Sequence, residues 1–421
     1  MNFMDLISSS AVFLFSSVES LLDQLSRPDV WEKFYEYKAG LACPKSFLKE
    51  LRSFIDRQAY VPVCGAMAAG ERFPLPRRSV ISKTSSQKKR VVYCYPPEEN
   101  ITLKLLTWLL LRRYDGLFAG NLWSFRPGRA AKDAVLRLRR LPGMDGMYAY
   151  KADVSNYFNS VPVERLTAEL ATVLADDPRL LAFLRGLLEE PEALDNGAPV
   201  VEQKGIMAGT PLSAFYANLY LRELDARFAA REIPYARYSD DIIVFGATEE
   251  ETKAHAGFIR GFLAEKGLTL NPDKEAFSSP EEGWTYLGFR YREGVTDLAP
   301  VSLTKMKQKM RRKTRAIARW AKRNELDGEK AAAAFIRVFN RKLFENPADN
   351  ELTWAYWFFP ALTTDESLRQ IDAYAQDCIR FLLTGTRTKA RYNARYGDLK
   401  RLGYRSLVHE YYAFRKQKDD R

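Results

Sequence analysis

Two short apolar runs that each end in aspartate constrain this chain more than any other feature. The first is Tyr150-Lys-Ala-Asp153-Val-Ser-Asn-Tyr-Phe158. The second, Tyr238-Ser-Asp240-Asp241, lies between Tyr235-Ala-Arg237 and the β-branched run Ile242-Ile243-Val244. Apolar, β-branched segments broken by a short polar step predict strand, turn, strand over 235–246, and 147–154 predicts a further strand. Both patterns place acid at strand ends. Asp is also an ordinary turn former, so neither site carries chemistry by itself. Carboxylates gathered without a cation of fixed geometry repel one another, and a fold that brings three together calls for hard divalent ions with oxygen ligands. Two such ions suit nucleotidyl transfer, in which a hydroxyl is activated and a departing pyrophosphate is stabilised.

Composition removes the competing chemistries. Only His255 and His409 are present, too few for His-based zinc sites or a Ser-His-Asp triad. Cys43, Cys64, Cys94 and Cys378 form no CxxC, which argues against a zinc ribbon and a disulfide framework and for a reducing, cytoplasmic setting. The apolar stretch 11–15 sits in a Ser-rich segment with Asp5 and Glu19 and no basic lead, so neither a signal peptide nor a membrane span is expected. With 46% hydrophobic residues in 421, the chain can bury a large core.

Along the chain, residues 1–70 read as helix, with Phe13, Leu21, Leu22 and Leu25 on one face. Basic, β-branched segments at 77–83 and 90–95 read as strands, and 101–113 as helix. A loop then holds Phe125-Arg126-Pro-Gly-Arg129. Helix or loop is expected from Val154 through Leu194, an apolar helix over 212–221, and short β segments within 267–277 and 284–291. Everything after that reads as helix. Sheet in the middle and helices at both ends predict an α+β core. From 298 to 324 there is no Asp or Glu, while Lys305, Lys307, Lys309, Arg311, Arg312, Lys313, Arg315, Arg319, Lys322 and Arg323 crowd together. A helix this basic can lie along phosphates, and the net charge of +12 is concentrated in it.

Tyr-x-Asp-Asp between β-branched runs, following an Asp-x-x-x-Tyr-Phe strand end, resembles palm motifs A and C of reverse transcriptases. Other elements keep that family's order. Lys83 and Arg90 look like basic fingers residues, and Phe125 to Arg129 like the Phe-Arg-Pro-Gly-Arg element of bacterial members. Gly205-Ile-Met-Ala-Gly209-Thr-Pro-Leu-Ser213 with Asn218 is similar to motif B. Gly267-Leu-Thr-Leu-Asn-Pro-Asp-Lys274 is similar to motif D, and Tyr286-Leu-Gly288-Phe289 to the primer-grip motif E. Ala208 departs from the pattern, standing where most members carry Gln.

The resemblance implies a right-hand polymerase: an N-terminal helical region (1–72), fingers and palm (73–295) with an antiparallel sheet carrying the Tyr-x-Asp-Asp hairpin, a helical basic thumb (296–345) and a helical C-terminal extension (346–421). It implies RNA-directed DNA synthesis from dNTPs, with cDNA as product. Two Mg²⁺ ions, for which Mn²⁺ can substitute, would be held by Asp153, Asp240, Asp241 and the Val154 carbonyl. Lys274 would act as general acid toward pyrophosphate. Lys83, Arg90, Ala208 and Gly209 would contact the nucleotide, and Phe158 would favour dNTPs by filling the space a 2′-hydroxyl needs. Arg126, Arg129, Gly288, Lys305, Lys309, Arg312, Lys313, Arg315 and Arg319 would contact nucleic acid.

The tail pattern Leu399-Lys-Arg-Leu-Gly-Tyr-Arg-Ser-Leu-Val408 is similar to standalone bacterial defence-associated members, with the type 2 class as the nearest assignment. That implies a partner non-coding RNA as template or scaffold, a role against phage, and no membrane. An untemplated or protein-primed polymerase of the abortive-infection type uses the same acids and stays open as an alternative. An idle RNA-binding scaffold is disfavoured by the intact acids.

Overall fold

The computed structural model describes residues 19–41, 43–82, 89–345 and 353–419. Lys83, expected at the nucleotide, lies outside the described residues. The strands in chain order are β1 (Arg77–Ser82), β2 (Lys89–Cys94), β3 (Tyr148–Asp153), β4 (Glu192–Asp195), β5 (Ala198–Val201), β6 (Tyr235–Tyr238), β7 (Asp241–Gly246), β8 (Ala276–Ser278), β9 (Trp284–Tyr286), β10 (Phe289–Arg292) and β11 (Val295–Leu298).

The central sheet has the order β6-β7-β3-β8 and is antiparallel throughout. Alternating side chains of a strand face opposite sides of its sheet, and here both sides are covered. Tyr150, Ala152, Ile242 and Val244 pack with the helices Val163–Val173, Ser213–Tyr220 and Glu249–Glu265. Ala149, Ala236, Ile243 and Phe245 pack with Trp284 and Tyr286 of the β9-β10-β11 sheet and with the C-terminal helices. This double cover explains why β7 reads as an unbroken apolar run.

The fingers sheet, β2-β1-β4-β5, contains a hairpin whose first strand begins at Glu192, inside the stretch through Leu194 expected as helix or loop. Its turn, Asn196-Gly197, has positive φ at both residues, 51° and 89°. Asn-Gly is the pair that a two-residue hairpin turn favours, because both positions need left-handed backbone. Four-residue strands around it left too little alternation to read. Helices Pro28–Ala39, Lys45–Asp56 and Tyr60–Ala69 pack on helix Pro97–Arg113, with Trp31 fully buried and stacked on Tyr60 at 5.1 Å.

Beyond β11, helices Pro300–Arg323, Gly328–Leu343, Glu366–Thr384 and Leu407–Asp419 share one core, in which Phe339 meets Tyr404 and Phe359 meets Tyr411. The helices of the basic thumb region and of the C-terminal extension are thus one packed body. Among the described residues no helix is long and apolar enough to cross a membrane.

Candidate active site

The register of the central sheet sets Asp153 directly opposite Asp241. The turn between β6 and β7 then brings in Asp240, whose carbonyl accepts from the Val154 N–H at 3.1 Å. Three carboxylates therefore sit on adjacent strand ends. Asp153 is buried, and Asp240 and Asp241 are half-buried. Burial, and after it the Asp153 carboxylate, push the Asp240 pKa up; Lys274 and Arg90 pull against them. Asp241 is also raised by burial, opposed by Lys151, whose Nζ lies 3.8 Å from its Oδ1. Charged forms held in a poorly hydrated place are disfavoured unless countercharge is supplied.

Lys274 supplies part of that countercharge. Its Nζ donates to Asp153 Oδ2 at 2.6 Å, from a short 3₁₀ turn, Pro272–Lys274, anchored by the Asn271 N–H to the Asp153 carbonyl. Among the described residues no three Asp, Glu, His or Cys side chains stand in a metal-holding arrangement, and one Asp153 oxygen is taken by Lys274. The donor chemistry itself, three carboxylates with raised or partly compensated charge, suits a hard divalent cation.

A buried polar network under the turn was not legible in the sequence. Ser239, between Tyr238 and the Asp pair, has φ 60° and is buried. Its N–H donates to Ser124 Oγ at 2.9 Å, and its carbonyl accepts from Arg237 Nη1 at 3.2 Å. Ser124 in turn donates to Asn218 Oδ1, and Asn218 Nδ2 donates to the Ser124 carbonyl. Arg237 pairs with Asp225 at 2.6 Å, both fully buried, and Tyr235 donates to the same carboxylate. The only sequence cue was an Arg inside an otherwise apolar strand.

Phe158 is held in place from several sides. The Arg90 guanidinium lies 5.8 Å over its ring, Phe125 meets it edge-on at 6.4 Å, and Tyr157 packs beside it. The Phe158 carbonyl accepts from the Ile206 N–H at 2.8 Å, and a Cβ on Gly205 would lie 2.5 Å from that carbonyl, which explains the glycine.

Other expected contacts fall differently. Ala208 is 1% exposed and its carbonyl accepts from the Tyr93 N–H, so its methyl group faces protein and not a nucleotide. Gly209 (φ 102°) is exposed, and the close approach its missing side chain allows is to β2, where a Cβ would lie 3.0 Å from the Tyr93 carbonyl. Arg126 departs from its expected role on nucleic acid. Its guanidinium is buried, grips Asp115 through Nε and Nη2 at 2.7 and 2.8 Å, and donates to the Ala119, Leu122 and Asp115 carbonyls, which takes up all five N–H groups. A guanidinium so engaged has no donors left for phosphate. Arg129 donates to the Gly120 and Leu122 carbonyls and lies over Trp123. Gly288 (φ 90°) faces Ser302 and Phe358, so it joins the β9-β10-β11 sheet to the C-terminal body. Tyr286 ties that sheet to the hairpin, its hydroxyl donating to the Ala236 and Asp241 carbonyls.

On helix Pro300–Arg323 only Met310, Thr314, Ile317 and Ala321 are buried. Lys305, Lys309, Arg312, Lys313, Arg315 and Arg319 are exposed. The tail pattern serves packing: Leu399, Tyr404 and Leu407 are buried, and the Asp372 carboxylate accepts from the Tyr404 and Ser406 hydroxyls and the Leu407 N–H.

Acid-tipped palm strands, a basic fingers hairpin and a helical body after the β9-β10-β11 sheet define a right-hand polymerase. Residues 81–291, half of the chain, match the family model described as reverse transcriptase (RNA-dependent DNA polymerase), and the chain belongs to that family. Among curated proteins, it is 26% identical over 155 residues to an uncharacterized 91 kDa protein in the cob intron of Schizosaccharomyces pombe, covering 36% of this chain and 18% of that one. It is 23% identical over 222 residues to the group II intron-encoded protein LtrA of Lactococcus lactis, covering 52% and 37%. The chain thus spans well under half the length of these relatives. Among solved structures, apo telomerase from Candida tropicalis aligns with a TM-score of 0.47 at 12% identity over 79% of this chain and 60% of that one. A form truncated from its C-terminal domain aligns at 0.43 and 13% identity, over 53% and 55%.

Proposed function

We propose that this protein is an RNA-directed DNA polymerase that builds cDNA from dNTPs on an associated non-coding RNA, as part of antiviral defence against phage. The observation that carries the polymerase reading is the register that sets Asp153 against Asp241 beside Asp240, inside a chain of the reverse transcriptase family. Asp153, Asp240 and Asp241 would hold two Mg²⁺ ions, which supply Lewis-acid stabilisation of the attacking and leaving oxygens. Val154 is proposed as a further ligand through its carbonyl.

This chain's own residues do the rest. Arg90 and Lys274 bring positive charge to the triphosphate. The Lys274 ammonium, which donates to Asp153, would give up a proton as pyrophosphate departs. The Phe158 ring, braced by Arg90 and Phe125, offers no partner to a 2′-hydroxyl and excludes it. The defence role and the type 2 assignment rest on the tail pattern's resemblance and on the departures in motif B.

The test is Mg²⁺-dependent incorporation of labelled dNTPs by the protein isolated with its own RNA, with and without RNase treatment. Product that vanishes after RNase supports templated synthesis. Product that survives it contradicts RNA direction and favours untemplated or protein-primed synthesis. Loss of phage protection in cells carrying Asp240→Asn supports the defence role, and unchanged protection removes it.

A further inference from the structure

The basic residues of helix Pro300–Arg323 are too widely spread to serve one bound segment. At 3.6 residues per turn, they wrap roughly two thirds of the helix circumference, leaving only the stripe of Met310, Thr314, Ile317 and Ala321 for the core. Nucleic acid lying along one side of a helix cannot reach both flanks. The two flanks also meet different neighbours. Lys309 and Lys313 border an apolar cavity of about 310 Å³ with Val338 and Lys342 of helix Gly328–Leu343. Lys307 and Arg311 lean the other way, toward helix Glu366–Thr384, where Lys307 Nζ donates to Gln370 Oε1 at 3.0 Å.

On this second flank lies a separate cavity of about 150 Å³, lined by Arg311, Thr314, Tyr374, Asp377, Arg387 and Arg391 among others. Its one carboxylate, Asp377, is already engaged by Arg391 at 3.4 Å and Arg380 at 3.8 Å. Arg387 and Arg311 have no carboxylate partner among the described residues. Arg387 is steadied instead over the Phe381 ring at 4.4 Å. The phenol of Tyr374 lies within electrostatic reach of Arg311, Arg387 and Arg315 together. Guanidinium groups converging on a small cavity, with their apolar sides braced on an aromatic ring, present a fork that matches phosphate oxygens.

We propose that this cavity binds a backbone phosphate of RNA, giving the thumb helix a second nucleic-acid surface on the flank opposite Lys309 and Lys313. The proposal rests on the polymerase reading only for the identity of the partner as RNA. Arg387 comes from the C-terminal segment, so this segment contributes directly to holding the RNA, in addition to buttressing the thumb; Arg391, whose donors go to Asp377, the Arg387 and Thr388 carbonyls and the Tyr392 hydroxyl, positions the Arg387 loop and does not itself contact phosphate. The surface commits to single-stranded or looped RNA, because the cavity admits one phosphate group and Tyr374 beside it offers a ring on which an unpaired base can stack.

The experiment measures binding of the full-length protein to two labelled probes, a single-stranded RNA with a 5′-hydroxyl and an RNA–DNA hybrid duplex, over a series of KCl concentrations without nucleotide. Arg387→Gln is expected to weaken RNA binding about five- to tenfold and to reduce the steepness of its salt dependence by about 0.7 per lost contact. Hybrid binding should shift less than twofold, and Lys313→Gln should show the reverse preference. Arg391→Lys, which retains a cation beside Asp377, serves as a second variant, expected to weaken RNA binding in the same direction; thermal melts verify folding of both.

Unchanged RNA affinity and slope in Arg387→Gln overturn the proposal, as does equal weakening of both probes, which means one shared surface. Unchanged RNA binding accompanied by stabilisation of the wild type, but not of Arg387→Gln, by millimolar inorganic phosphate makes the cavity a small-anion site and overturns the RNA assignment. Because the assay contains no dNTP, its failure leaves the polymerase reading standing, and failed incorporation leaves this one standing.

Discussion

The palm hairpin and the thumb helix both concentrate charge, and they accommodate it in opposite ways. Under the hairpin, Arg237 and Asp225 are fully buried, and their neighbours Ser124, Asn218 and Ser239 are tied together by hydrogen bonds. On helix Pro300–Arg323 an apolar stripe holds the helix, and nearly all of its cations face outward. The buried Arg237–Asp225 pair is part of the fold, so losing either partner damages geometry and stability together. Under the proposed function the exposed cations of this helix serve a nucleic-acid ligand, so losing one should alter affinity and little else.

The sharpest way to break this contrast is Asp240→Asn. Incorporation is expected to fall by about three orders of magnitude or more, since a carboxylate that would hold the ions stabilising the developing negative oxygens is gone. Stability should move the other way. The folded Asp240 pKa is raised by burial and by Asp153. Its stabilising contribution is therefore present below the ordinary carboxylate pKa and lost as pH rises through the raised value. At neutral pH the ionised group is a cost, so the Asn variant, without added metal, should melt about 1–3 °C higher. A lower melting temperature than wild type at pH 7 and an equal one at pH 4 would reverse that sign.

Next is the buried pair. Asp225→Ala leaves Arg237 buried without its partner and should cost about 3–5 kcal/mol in a denaturant melt. Replacing both with Leu and Met should recover part of that loss, and failure of the pair to outperform the single variant argues against the ion pair as the cause. Ser124→Ala removes the acceptor of the Ser239 N–H and should destabilise by about 1–2 kcal/mol. Because that bond holds a left-handed turn beside Asp240, kcat should fall while the dNTP KM stays within twofold.

Phe158→Ala should relax discrimination against ribonucleotides about tenfold, read as the ratio of kcat/KM values for dNTP and rNTP. The smallest structural effect belongs to the thumb. Lys313→Ala should leave the melting temperature unchanged within a degree and reduce the salt-dependence slope for duplex binding by about 0.9. A clear drop in melting temperature there would erase the distinction between the two regions.

The palm was legible because its chemistry is local. Asp153 ends a strand, Asp240 and Asp241 mark a turn, and β7 is apolar on both faces because cores cover both sides. The basic helix announced itself by lacking acid over its whole length. What escaped were facts that depend on distant partners. Arg126 stands in a basic motif, yet Asp115 and the Ala119 carbonyl consume its donors. Ala208 sits in a motif read as nucleotide-facing, and the fingers strand buries it. The β4–β5 hairpin carried its signal only in Asn196-Gly197. Arg387 and Arg391 lie far in sequence from Arg311, so nothing local joined them into one cavity.

The most direct test of the central claim compares purified wild type with Asp240→Asn on a DNA primer annealed to an RNA template, with Mg²⁺ and labelled dNTPs. Template-dependent extension is expected from the wild type, stopping when Mg²⁺ is removed, and none from the folded variant. Equal extension by both proteins would contradict the placement of chemistry at Asp153, Asp240 and Asp241.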